Sequence, residues 1–486
     1  MDGNKKQKFY TAAYTLFLFG ALFWFFFFAH PQIPFDFDDW GNLPVLRLPL
    51  PLPNYWNPSR IFPETFYPLS GFAAALVCKC FPAISLVRAE SLVTGLFLSA
   101  LVTVYAICFE QLLERKLFVK RSSSMLFSLI FILLHFAALR SEETGNLHFF
   151  MSTNLSCCYY YLMPAIINCS FIMHLMAFKP ERLSLKLLLV IYFTVFSNQF
   201  ASIILASYCG CELLLSFIKA IKEKTVRDFP AKNKVFIVIF ALWIVSVAAD
   251  AFGGRGRNAS GGENAFSALL SLELPDAGEI MARINPAIGL SAAILIAGFV
   301  IFAFKKLSAE EKSFLGSSLF AGATASVMLV LLCAEVSPLY INRTEVFFGI
   351  AFFAFMLTVC CLAKLGCRLK WGDGAAVLAA AALLLAANTK GTTFADSYCE
   401  QIDSQTCRAI SECIISQITD ACEAGEEEVI VHVPKSYQDL DDNWPFNYRL
   451  NSPLSELLYR LRITDREMKI EILPDEALNE KFGVDF

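Results

Sequence analysis

Charge is what this sequence has least of: 17% of its 486 residues are Asp, Glu, Lys or Arg, against about a quarter in soluble globular chains. Its balance is slightly acidic, with a net charge of −4, which gives no basic surface for nucleic acid. The five histidines do not cluster and HExxH is absent, so no zinc-hydrolase reading is supported. No GxxxxGK[ST] loop occurs, and the glycine-rich run FGGRGRNASGGEN at 252–264 lacks the Lys-Ser/Thr pair of a phosphate loop. Neither an internal repeat nor a cofactor motif is present, and no metal is indicated.

What fills the space left by charge is apolar surface: 56% hydrophobic residues, 47 of them Phe. That composition reads as an all-α polytopic membrane protein. A crossing takes about 17 to 25 mainly apolar residues. Apolar runs lie near 9–29, 91–112, 123–140, 158–178, 184–197, 199–218, 235–251, 286–304, 314–333, 344–363 and 374–389, eleven in all. Lys5, Lys6 and Lys8 precede the first and point to a cytoplasmic N-terminus. That run is too long and aromatic for a cleaved signal, and no small-x-small site follows it.

Five basic connectors, at 114–121, 179–186, 219–234, 305–312 and 364–370, belong in the cytoplasm by the same rule. Placing all five there requires that Phe66 to Cys80, which carries Pro68 and Lys79, lie along the outer surface rather than cross. Twelve spans, with 114–121 outside, is the competing arrangement. The membrane part then occupies residues 1–389, with an outer loop at 30–90. Residues 390–486 turn polar and read as a small α/β domain on the outer face. In it EEEVIVHV at 426–433 and EMKIEIL at 467–473 alternate like half-buried strands, and PLSELLYRLR at 453–462 reads as an amphipathic helix. Cys399, Cys407, Cys413 and Cys422 fall in this tail, where an oxidising compartment permits three disulfide pairings.

The outer loop opens with FDFDDW, placing Asp36, Asp38 and Asp39 beside Trp40 at a membrane interface. Tryptophan there is an ordinary interfacial anchor, but a carboxylate among aromatics has little reason to be idle. Arg60 follows in WNPSRIF; Arg255 and Arg257 stand in GGRGRN, and Arg343 in SPLYINRT. Single arginines in loops are ordinarily solvated. Together they offer guanidinium forks that fit phosphate oxygens, and a neighbouring carboxylate can take a proton from a hydroxyl. Asp250 ends the seventh run on the same side.

The order of these pieces carries a resemblance: a first span, an Asp-Asp pair, WNPSRIF, ETGNLHFF, YYYLMP, SNQFA, FGGRGRN and SPLYINRTEVFFG. It resembles the GT-C superfamily of polyprenyl-phosphate-dependent glycosyltransferases, and within it the bacterial proteins grouped with the O-antigen glucosyltransferases. Two places depart from the family pattern. Phe252, Gly253, Gly254, Arg255, Gly256 and Arg257 stand where relatives carry a Pro-Gly-Asn-x-x-Arg type loop, and Gln199 stands where relatives often have an acid.

The resemblance implies an inverting transfer of a sugar, a hexose such as glucose, from a polyprenyl-phosphate donor to a hydroxyl of a surface glycan. The setting it implies is the extracytoplasmic face of a bacterial inner membrane. It makes Asp38 or Asp39 the general base, with Asp36, Trp40, Arg60, Arg255, Arg257 and Arg343 as substrate-binding residues. A glycan polymerase or ligase, and a lipid-linked sugar transporter or flippase, remain as alternatives. The latter is expected to carry midplane charges and inverted repeats.

Overall fold

The computed structural model describes residues 3–140, 147–152, 154–254, 278–279, 281–369, 372–386, 393–394, 402–437 and 443–485. We number its helices of six residues or more in chain order. They are α1 (Gly3–Trp24), α2 (Phe37–Asn42), α3 (Pro63–Cys80), α4 (Leu86–Lys116), α5 (Arg121–Ala137) and α6 (Leu155–Phe178). After these come α7 (Leu185–Val195), α8 (Gln199–Lys222), α9 (Lys234–Phe252), α10 (Pro286–Phe302), α11 (Ala309–Val336), α12 (Thr344–Leu369) and α13 (Gly372–Ala386).

Among the described residues seven helices are long and apolar enough to cross a membrane: Phe9–Ala29, α4, α6, α8, α9, α11 and the Thr344–Arg368 stretch of α12. Four expected runs form shorter apolar helices instead, namely α5, α7, α10 and α13. The segment from Phe66 to Cys80 lies in α3, outside both groups.

Helix starts follow from side chains that accept the N–H groups a first turn leaves unpaired. Ser85 accepts from the Arg88 N–H at the head of α4. Ser308 and Glu311 form a reciprocal capping box at the head of α11. Asn198 accepts from the Phe200 N–H, opening α8 directly after α7. Between α4 and α5 the apolar seam is aromatic, with Phe109 stacked on Phe131 at 4.2 Å between ring centres.

Four of the five basic connectors meet at one end of the bundle. Lys116, closing α4, pairs with Glu310. Lys364 pairs with Glu311 and donates to the Leu117 carbonyl, and Arg368 donates to the Lys306 carbonyl. Lys179, after α6, pairs with Glu212 of α8 at 2.8 Å. The 31 residues of α4 span about 46 Å at 1.5 Å per residue. Its other end is therefore far from this charged layer.

That other end carries α2 and the C-terminal elements. These are α14 (Ser404–Glu423), β1 (Glu428–Pro434), α15 (Asn451–Arg460), β2 (Lys469–Asp475) and α16 (Glu476–Phe482). Strands β1 and β2 pair in parallel, from Glu428 against Lys469 to Pro434 against Asp475, with α15 in the crossover between them. A crossover is needed because a tight turn can join only antiparallel strands. Of the described cysteines of this region, Cys413 and Cys422 are free thiols and Cys407 is buried; Cys399 lies outside the described residues. Ser411 donates to the Pro34 carbonyl and Arg460 to that of Pro44, while Pro445 accepts from the Phe37 N–H. Glu412 accepts from Ser85 at the head of α4. The C-terminal elements thus grip the chain on both sides of α2.

Candidate functional site

Three carboxylates leave FDFDDW in different directions because α2 turns about 100° per residue. Asp36 is the N-cap of α2: one oxygen accepts from the Asp39 N–H at 3.0 Å and the other from the Asn154 amide at 2.8 Å. Asp39 accepts from the Phe35 N–H at 2.9 Å and from the Ser156 N–H at 2.6 Å. Asn154 in turn caps α6 through the Cys157 N–H. The first turns of α2 and α6 therefore cap one another, and the Asp39 charge sits at the N-terminus of α6, where the helix dipole favours an anion. Both Asp36 and Asp39 have no exposed surface.

The expectation that either Asp38 or Asp39 could take a proton from a substrate is narrowed by this. Asp39 is a structural anchor whose two oxygens are spent on backbone N–H groups. Asp36, expected to bind substrate, is occupied in the same way. Trp40, also expected to bind substrate, is 1% exposed and its indole is packed inside the protein.

Asp38 is the exception. It is exposed, and its carboxylate makes no hydrogen bond to the described residues, although its backbone carbonyl accepts from Asn42 and Ser156. Surrounding protein raises its carboxyl above the ordinary carboxylate range, and Arg343 opposes that rise. Asp38 is thus open to water while within electrostatic reach of Arg343.

Two arginines on this side of the bundle, Arg60 and Arg343, are held by tyrosines. The Arg60 guanidinium lies 5.3 Å from the ring centre of Tyr160 and 5.6 Å from that of Tyr161. Arg343 lies 4.9 Å from Tyr340 and 6.0 Å from Tyr161, and donates to the Cys157 sulfur at 3.6 Å. Tyr161 is thus shared by two guanidinium groups brought from opposite ends of the membrane part of the sequence. Among the described residues, neither arginine has a carboxylate within ion-pair distance. Ring faces orient a guanidinium while leaving its N–H fork unspent.

Supporting groups fix Arg60 in place. Asp250 accepts from both the Ser59 N–H and hydroxyl, and Gln199 donates to it at 3.1 Å. This gives Gln199 a role as a donor where the family pattern has an acid. Gly253 and Gly254 follow, and a Cβ on Gly253 would lie 2.4 Å from Pro58, one on Gly254 2.8 Å from Trp56. Only glycine allows α9 to end so close to that loop. Glu64, beside Arg60, is pushed up to about 7 by burial, against the pull of Arg47 and Arg60.

Beneath Arg343, Glu345 is buried on the first turn of α12, with one oxygen accepting from Thr344 and the other unpartnered. It lines a cavity of about 10 Å³ with Tyr161, Asn198, Phe200 and Gly349, room for one water. Among the described residues no group of three His, Cys, Asp or Glu could hold a metal ion. Arg255 and Arg257 lie outside the described residues.

Sequence reading missed the tyrosines as holders of cations, although YYY at 159–161 is visible as a triplet at the start of the 158–178 run. It also missed Arg47 and Glu64.

Seven helices of spanning length among the described residues define a multi-pass integral membrane protein. No family model, curated protein or solved structure matches this chain.

Proposed function

We propose that this is a GT-C-like glycosyltransferase that moves a sugar from a polyprenyl phosphate to a hydroxyl of a glycan acceptor. The observation that supports it best is the division among the three aspartates: two are consumed in caps, and Asp38 stands free within electrostatic reach of Arg343. In this reading the acceptor hydroxyl oxygen attacks the anomeric carbon and Asp38 takes its proton. The bond from that carbon to the phosphate oxygen breaks, and the electron pair leaves with the polyprenyl phosphate. Arg60 and Arg343 receive the resulting charge with their open forks. Attack from the face opposite the leaving group inverts the anomeric centre.

The order of motifs, from the first-loop Asp-Asp pair to SPLYINRT, supports the same family. Eleven crossings, with the basic connectors cytoplasmic and Arg60 and Arg343 extracytoplasmic, complete the reading. The inner membrane of a bacterium is its proposed setting. The direct test is transfer by the purified chain in nanodiscs, with a polyprenyl-phosphate hexose as donor and a surface glycan as acceptor. Product from the unmodified chain and none from Asp38→Asn supports it; equal product from both overturns it.

A further inference from the structure

The segment LPVLRLPLPLP, residues 43–53, has its polarity inside out. Val45, Leu46, Leu48 and Leu50 are 45%, 47%, 62% and 50% exposed, whereas Arg47, the only charged residue among them, is 8% exposed. Arg47 points inward. It pairs with Glu64 at 2.9 Å, donates to the Asn57 and Pro58 carbonyls at 3.0 and 2.8 Å, and covers the Tyr55 ring at 4.5 Å. A loop in water places leucine inside and arginine outside, because apolar exposure costs free energy and the guanidinium is well solvated.

The backbone follows the same logic. The Leu46, Leu50 and Leu52 N–H groups donate to the carbonyls two residues back, at Pro44, Leu48 and Leu50, forming successive γ-turns. Pro44, Pro49, Pro51 and Pro53 have no N–H to satisfy. An irregular segment with few donors left for water suits a place where water is scarce.

Its neighbours locate that place. The Tyr192 hydroxyl, on the last turn of α7, donates to the Pro49 carbonyl. On α7 itself, Leu185, Leu188, Leu189 and Val190 are exposed, and the adjoining α9 exposes Ile244, Val245 and Val247. These are apolar helices whose outward faces meet lipid. Trp56, at the far end of the segment, is also exposed, as tryptophans at a membrane interface are.

We infer that residues 44–53 form a strap seated in the bilayer interface on the side that carries Arg60 and Arg343, with its leucines among lipid acyl chains and Arg47 as its inward anchor. The occupant of this face is lipid, not a protein partner, because the exposed leucines continue the lipid-facing surface of α7. This inference is independent of the transfer reaction.

A photoreactive benzoyl-phenylalanine replaces Leu48, Leu189 or Asn54, one at a time, in the full chain in lipid nanodiscs. Irradiation is followed by mass spectrometry of the protein. Lipid adducts are expected at Leu48 and Leu189, at about tenfold the yield at Asn54, the exposed polar residue that follows the strap. A Leu48 probe that forms no lipid adduct while the Leu189 probe does overturns the inference. So does a Leu48 probe that crosslinks mainly to a second copy of the chain. Leu48→Asp gives a second readout: detergent-purified chain is recovered as before, and its brominated-lipid quenching of Trp56-region fluorescence falls. Unchanged quenching overturns the inference as well.

Discussion

Three lysines at one end of the helix bundle and two arginines at the other are held in opposite ways. At one end Lys364 is paired with Glu311, Lys179 with Glu212 and Lys116 with Glu310. At the other, Arg60 and Arg343 rest on tyrosine rings and share Tyr161, with no carboxylate within ion-pair distance among the described residues. A neutralised cation stabilises or orients what already exists, and it has little charge left for anything else. A cation held by a ring is fixed in place but still has its donors to offer. The same contrast runs through FDFDDW, where Asp36 and Asp39 are consumed in caps and Asp38 is left open.

Substituting within the aspartate trio breaks the comparison most sharply. Asp38→Asn is expected to lower transfer by about 10² to 10⁴, the usual worth of a general base. It should not lower thermal stability. The Asp38 pKa is raised by burial, so ionisation works against the folded state. Any stability this group adds is present below its unfolded pKa and lost as pH rises through the folded value. Asp39→Asn should instead unfold the junction of α2 and α6, read as a lower melting temperature. Equal thermal losses from both substitutions would erase the distinction between them.

Removing a paired cation should act on stability alone. Lys364→Met leaves Glu311 buried without its partner and is expected to cost about 3 to 5 kcal/mol, measured by denaturation in detergent micelles. Transfer per folded molecule should be unchanged. At the opposite end, Arg343→Lys keeps the charge but loses the fork. We expect about a tenfold drop in transfer with little change in melting temperature. A large thermal shift there would place Arg343 with the structural cations.

The pH profile gives a finer test. Asp38 must be ionised to accept a proton, and burial raises its pKa, so activity should fall on acidification at a pH above the ordinary carboxylate range. Arg343 opposes that rise, so Arg343→Gln should move the acidic limb to still higher pH. An unmoved limb would separate the two groups. The smallest effect is expected at the exposed pair Lys219 and Glu223, where Lys219→Ala should cost about 0.3 to 0.5 kcal/mol or less.

Much of the helical framework was legible because it depends on neighbours in sequence. The first apolar run coincides with the Phe9–Ala29 span, and the two alternating segments of the tail became β1 and β2 within two residues at either end. Their parallel pairing was not legible, since either strand's alternation fits both directions. Nor was the shortening of α5 and α10, whose runs of 18 and 19 residues became helices of 17 each. In the site, Asp38 and Asp39 were equivalent by sequence; the head of α6, over a hundred residues away, distinguished them.

By itself the sequence determined that the chain is a membrane protein, where most of its helices run, and which residues have the chemistry to bind an anion or take a proton. Those properties follow from local hydropathy and side-chain identity. Only the tertiary structure decided that Asp39 is a cap and Asp38 is free, that Arg60 and Arg343 meet over Tyr161, and that Arg47 turns inward beneath exposed leucines. Each of these depends on which distant N–H, ring or carboxylate the folded chain brings alongside. No local pattern encodes that choice.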